Sequence, residues 1–264
     1  MSSRSKVLGG LIPLDAEHVF QRAKPWSCRI KDGQIELEER RWFAVMPLRD
    51  PTFFLSFVRL GAHRGGEYKD PSRARIYKWV RKFGLPAKDL GRRGRRESPV
   101  SMSVEQFRQE VREAWDLWTI HKEAWSEDAK ALTNRVKNPR CRWDHALVVG
   151  IGLTEYQERL AIARAFREPL STAVIETAHA VLDEITTDKI RDVRPRVYYS
   201  ELSWSCPDLL SALYLQCALL RMGDRPKRIC ENCGTLFPLT RNDKYHCDEA
   251  CYRTAYNHRG ADAN

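Results

Sequence analysis

The chain has 264 residues, 45 Lys+Arg against 35 Asp+Glu, a formal net charge of +10, eight cysteines and 42% hydrophobic side chains. Such a length fits one large or two small domains, and with 14 Gly and 13 Pro it suits neither wholesale disorder nor a fibrous repeat. The longest run of apolar and glycine residues, Ala146 to Leu153, is far short of the ~20 residues a membrane-spanning helix needs.

In chain order, the N-terminus places Arg4 and Lys6 before Val7 to Leu14, but Pro13 interrupts that stretch and Asp15 and Glu17 follow it. No small-residue cleavage site appears, so a secretory leader is not expected and the cytoplasm is the expected location. Gln34 to Val45 alternates loosely and predicts one or two strands. Phe53, Phe54, Leu55, Phe57, Val58 and Leu60 crowd together, which suits a short buried helix. Ser72 to Phe83 reads as a helix capped by Ser72 and ended by Gly84, with Ile76, Trp79, Val80 and Phe83 on one face. Lys88 to Val100 is the clearest loop.

Helices dominate the remainder. Ser103-Val-Glu-Gln106 is a capping-box pattern opening an amphipathic run through Phe107, Val111, Trp115, Trp118 and Trp125. Tryptophans at helical spacing are more often core than a binding box. Leu147 to Leu153 predicts a short strand or buried turn, and Thr154-Glu-Tyr-Gln157 a second capping box with a helix to about Arg167. A helix restarting at Ser171 or Thr172 runs through Ile185, and Val193 to Glu201 is extended. Pro207 suits the first position of a nearly all-apolar helix ended by Gly223. The expected fold is mainly α: a helical body over residues 1–222 with a few short strands, then a zinc-binding domain over 223–264.

The charge is localised. Residues 59–100 hold 13 Lys+Arg and 4 Asp+Glu, nearly the whole excess. Arg73, Lys78, Arg81 and Lys82 fall largely off the apolar face of the predicted helix. Arg92, Arg93, Arg95 and Arg96 form a glycine-spaced loop, Gly91-Arg-Arg-Gly-Arg-Arg96. Arginine forks and close backbone approach suit a phosphate chain, although a solvated basic face is the common alternative. Pro86 and nearby glycines make a second helix of a helix-turn-helix poor there.

Four cysteines cluster as Cys230-Glu-Asn-Cys233, thirteen residues, then Cys247-Asp-Glu-Ala-Cys251. Two close pairs across a short spacer match tetrahedral zinc, whose thiolates must converge at about 2.3 Å. Gly234 permits the knuckle turn. Cys247 and Cys251 are spaced i, i+4 at the positive start of a predicted helix, so knuckle plus helix predicts a treble clef with one structural zinc. His246 neighbours Cys247 and is the alternative ligand. Cys28, Cys141, Cys206 and Cys217 are scattered and show no nucleophile arrangement. His121-Lys-Glu123 formally matches H-x-E of zinc deaminases, but the later CxxC lacks its preceding proline and the site is already full. No P-loop, dinucleotide fingerprint, HExxH or GxSxG is present, and no enzyme is expected.

The run Arg228-Ile-Cys230-Glu-Asn-Cys233-Gly-Thr-Leu-Phe237, with Lys244-Tyr-His-Cys247 and Cys251-Tyr-Arg-Thr-Ala-Tyr-Asn-His-Arg259, resembles the C-terminal finger of bacterial CGNR-type zinc-finger proteins. Those proteins join the finger to a helical ABATE-type body and are regarded as transcriptional regulators. The strong likeness covers about the last 35 residues. It implies Cys230, Cys233, Cys247 and Cys251 as ligands. Where the family has Cys-Gly-Asn-Arg, this chain has Cys251-Tyr-Arg-Thr254, so the signature loop does not carry over. Arg253 and Arg259 remain as basic residues on the final helix. The expected function is therefore nucleic-acid binding in transcriptional regulation, with DNA as partner. The alternative is an interaction or structural module, pairing with another protein or with itself, in which zinc only stabilises a C-terminal cap.

Overall fold

The architecture is that of a computed structural model, which describes residues 53–63, 66–86, 100–141, 143–145, 170–198, 201–223, 226–239 and 243–261, together with short strands at 7–8, 12–13, 20–23, 28–37 and 42–45. In chain order these are β1 (Val7–Leu8), β2 (Ile12–Pro13), β3 (Phe20–Ala23), β4 (Cys28–Lys31), β5 (Gln34–Leu37), β6 (Trp42–Val45), α1 (Phe53–Val58), α2 (Arg73–Phe83), β7 (Val100–Ser103), α3 (Val104–Trp125), α4 (Ala129–Lys137), α5 (Leu170–Ile190), β8 (Arg194–Tyr198), β9 (Glu201–Ser205), α6 (Leu209–Met222), β10 (Lys227–Ile229), β11 (Leu236–Pro238) and α7 (Glu249–Ala261). The fold is mainly helical with short antiparallel ribbons. No described helix is long and apolar enough to cross a membrane. The basic loop with Arg92, Arg93, Arg95 and Arg96, the segment Leu147 to Leu153 and the predicted helix from Thr154 to Arg167 lie outside the described residues.

The chain divides into two compact units. The first comprises residues 1–61, 69–111 and 186–224. Its three-stranded sheet has the order β4-β5-β7. Asp32 (φ 48°) and Gly33 (φ 77°) make the two-residue turn between β4 and β5, matching the twist of a tight hairpin. All of α1 except Ser56 is buried. Phe53 stacks on Trp79 at 6.0 Å, and Phe57 meets Trp79 and Phe107 at 4.9 and 5.5 Å. The α2 helix begins at the Ser72 cap, whose Oγ accepts from Arg75 N, and stops at Gly84. Its buried residues are the predicted Ile76, Trp79, Val80 and Phe83.

The capping box before α3 is reciprocal: Ser103 N donates to Gln106 Oε1 at 3.0 Å and Gln106 N to Ser103 Oγ at 2.9 Å. The apolar helix is α6, buried without a break from Leu209 to Leu219, and its Gln216 Oε1 accepts from Phe54 N in α1. Here the expected start moves by two residues. Pro207 precedes the cap, because Asp208 Oδ1 accepts from Ser211 N at 2.7 Å and satisfies a terminal donor that proline cannot. Of the predicted extended stretch Val193 to Glu201, Arg194–Tyr198 forms β8 and pairs antiparallel with β9, which Glu201 begins.

The second unit comprises residues 62–68, 112–185 and 225–264. Its buried side chains include Leu117, Trp118, Ile120, Leu132, Trp143, Val174, Val181 and Leu182. Of the predicted core tryptophans, Trp115 and Trp118 are buried, whereas Trp125 at the helix end is 40% exposed. The finger residues 225–264 belong to this unit, with Leu236 and Phe237 fully buried beneath them.

Candidate metal centre and its surroundings

The four cysteines converge. One sulfur from each of Cys230, Cys233, Cys247 and Cys251 lies within 4.8 Å of the others. The Cys233–Cys247 and Cys247–Cys251 sulfurs are 3.5 and 3.4 Å apart. A tetrahedral metal at about 2.3 Å from each sulfur needs edges of about 3.8 Å, so the donors fit such an ion with small adjustments.

Local structure explains the convergence. The β10–β11 hairpin pairs Lys227 with Pro238 and Ile229 with Leu236, which brings Cys230 and Cys233 to its turn. Within that turn Gly234 N donates to Cys230 O at 2.9 Å, and Cys230 N to Thr235 O at 3.0 Å. Gly234 has φ 67°, and a Cβ there would stand 3.2 Å from Gly66 Cα. Glycine is therefore required twice over, by the turn and by the close approach of a neighbouring loop. Cys247 lies ahead of α7 rather than in it. Asp248 caps the helix by accepting from Cys251 N at 2.8 Å, and Cys247 N points at Cys230 Sγ at 3.5 Å. The finger is fastened to α3, because Trp118 Nε1 donates to Leu236 O at 2.9 Å.

Electrostatics divides the thiols. Hydrogen bonds from Cys233, Cys247 and Cys251 hold the Cys230 thiol far below its usual range. Cys233 is brought down to about 6: Cys230 opposes this, while Cys247, Cys251 and the neighbouring Thr235 hydroxyl favour the charged form. Cys251 is pushed up by Cys230 and Cys233. Such a crowd of sulfurs is stable as thiolates only around a cation. His246 is half-buried, is not among the four converging ligands, and sits 5.8 Å from the Tyr252 ring.

The predicted basic residues divide between the units. Arg73, Lys78, Arg81 and Lys82 are all exposed on α2 in the first unit. The Arg81 guanidinium lies 5.5 Å over the Tyr77 ring and Lys82 Nζ 4.5 Å over Phe83. Arg253, on α7 of the second unit, is exposed but held by Glu249 at 2.6 Å. Arg259 falls within α7 by backbone.

A second polar cluster, absent from the sequence reading, lines a cleft of about 420 Å³ in the second unit. Arg135 grips Glu123 with Nε and Nη2 at 2.5 and 3.0 Å and donates from Nη1 to Asp144 Oδ1 at 2.9 Å. Asp144, 1% exposed, also accepts from Arg140 N and Cys141 N at 2.9 and 3.2 Å. Burial alone would lower the Arg135 pKa, but the bonds to Glu123 and Asp144 raise it above its normal value. Beside them, burial lifts the Asp116 carboxyl to about 6, with Arg135 opposing and Asp144 adding to the rise. Cys141 goes up to about 12 for the same reasons, burial first and then the Asp116 charge. Glu123 of the H-x-E match is thus engaged by Arg135. Its signal in the sequence was faint, since separations of twelve and nine residues follow no helical or strand period.

No family model, curated protein or solved structure matches this chain.

Proposed function

We propose that the chain is a nucleic-acid-binding zinc-finger protein acting in transcriptional regulation, with DNA the expected partner. Zinc suits the four-sulfur donor set, because a borderline-soft ion without geometric preference accepts a closed thiolate tetrahedron. Cys230, Cys233, Cys247 and Cys251 would hold it, and with no position open it would be structural. A knuckle turn, a short hairpin and a helix beginning next to the last ligand pair support a treble clef. Nucleic-acid binding is carried by one observation: α2 buries its apolar face completely and turns Arg73, Lys78, Arg81 and Lys82 to solvent. Four cations on one short helix suit the phosphate backbone.

Binding to a labelled DNA duplex, titrated with salt, tests this. Substituting the four α2 cations by Ala should weaken binding and flatten the slope of log K against log salt by about 0.9 per lost phosphate contact. Unchanged affinity and slope would defeat the reading.

A second reading has its own support. Four thiolates and Zn²⁺ add −2 to the finger, and Arg253 is already held by Glu249. A finger so nearly neutral, sewn to α3 by Trp118, suits a structural cap. One zinc per chain with no affinity for any nucleic acid would favour it.

A further inference from the structure

We propose that the exposed rings of the finger form a stacking platform for the bases of a single-stranded nucleic acid, an inference that rests on the nucleic-acid reading above and narrows it. Six large apolar side chains among the described residues are notably exposed: Trp125, Met222, Ile229, Tyr245, Tyr252 and Tyr256. Four of them lie on the finger, and its three tyrosines are 51%, 56% and 68% exposed. Apolar surface concentrated on a small folded element marks a binding face.

Two of the exposed rings lie nearly parallel. Tyr252 and Tyr256 stand one helical turn apart on α7, with centroids 6.4 Å apart and planes only 27° from parallel. The half-buried His246 ring lies 5.8 Å from Tyr252 but is tilted 59° to it, so the near-parallel pair is Tyr252 and Tyr256. The 6.4 Å interval between Tyr252 and Tyr256 is close to twice the ~3.4 Å rise per nucleotide of a stacked strand. Tyrosine also suits the task by chemistry, since its ring offers a π-face while its hydroxyl remains in water.

Access to base faces favours the single strand over the duplex. A duplex hides its base faces inside the stack and presents phosphates and groove edges, so a duplex reader needs strong positive charge. The finger lacks it: Arg253 is paired with Glu249, and the thiolate cluster offsets the remaining excess. A cation lies over one of the finger's exposed rings. The Arg228 guanidinium lies 4.5 Å over the Tyr245 ring and donates from Nη1 to Lys244 O at 3.3 Å. Rings for bases beside cations for the backbone is the composition of single-strand sites. A protein partner would use the same exposed area but would not require parallel rings.

The test uses the full, metal-loaded chain and fluorescence anisotropy at low salt. The probes are a labelled oligothymidylate of about a dozen nucleotides, enough to span the site, and a duplex of the same length. The single strand should bind. Tyr252→Ala with Tyr256→Ala should weaken it by about 10- to 100-fold, whereas Tyr252→Phe with Tyr256→Phe should keep affinity within about threefold. Leu at both positions preserves apolar area without a ring, so it should behave like Ala. Metal content and helical circular dichroism confirm that each variant is folded. If the Ala pair leaves single-strand affinity unchanged, or only the duplex binds, the platform is overturned while the nucleic-acid reading stands. Equal single-strand affinity for the Leu and Phe pairs would likewise overturn a ring-specific role. If neither probe binds wild type, both fall together.

Discussion

The cysteine cluster and the Arg135 cluster, both in the second unit, solve one electrostatic problem in opposite ways. Each gathers acidic groups away from water. Around Arg135 the chain provides its own counter-charge, one guanidinium bridging Glu123 and Asp144. At the finger, four sulfurs crowd within 4.8 Å as a set that could hold a metal ion. The first cluster is complete as translated, while the second could take its cation from the medium. A pair of polar centres in one unit can thus differ in whether their stability is a property of the chain or of its surroundings.

The comparison is tested most severely by removing metal. Chelation, or Cys230→Ser, should cost the finger on the order of 10 kcal/mol and unfold it. Loss of slow-exchanging amides over residues 226–261 measures this, and a finger equally protected without metal would break the contrast. Next in size is Arg135→Met. It strands two carboxylates that are 13% and 1% exposed, which should cost about 3–5 kcal/mol in a urea melt, whatever the metal concentration.

Asp116 sharpens the picture with pH. Its folded-state pKa of about 6 lies above the ordinary 3.8, so the native protein holds this proton more tightly than the unfolded chain. The charged carboxyl therefore costs stability above pH 6, and the cost fades as pH falls towards the unfolded value. Asp116→Asn should stabilise by about 2 kcal/mol at pH 8 and roughly half that at pH 5. A gain that does not shrink with acid would refute the assignment. The smallest expected effect is Gly234→Ala, about 1–2 kcal/mol, from a positive φ and a contact with Gly66. It should also lower metal affinity, read by competition with a chelating dye, because it strains the turn that carries Cys233.

Local features were legible in the sequence. Ser72, Gly84 and the Ser103–Gln106 box mark helix ends by chemistry that acts within four residues. The cysteine spacing announced its own convergence for the same reason: each pair is held within one turn. What escaped was long-range. Nothing near Gln34 says that its strand pairs with Val100–Ser103, because a sheet partner is chosen by three-dimensional packing. The Arg135 cluster joins α3, α4 and the Asp144 turn, and no period links them. One miss was avoidable. Glu249 stands four residues before Arg253, the favourable order for a helical ion pair, and that spacing foretells an engaged arginine.

The bond from Trp118 to Leu236 has a practical consequence. It places an indole from the middle of a long helix against the backbone of the finger hairpin, so the helix carries a built-in optical reporter of the finger. When the hairpin comes apart, that indole exchanges a carbonyl for water and its emission should move to the red. The state of the C-terminal finger can then be followed in the unmodified chain, without a label, by comparison with Trp118→Phe.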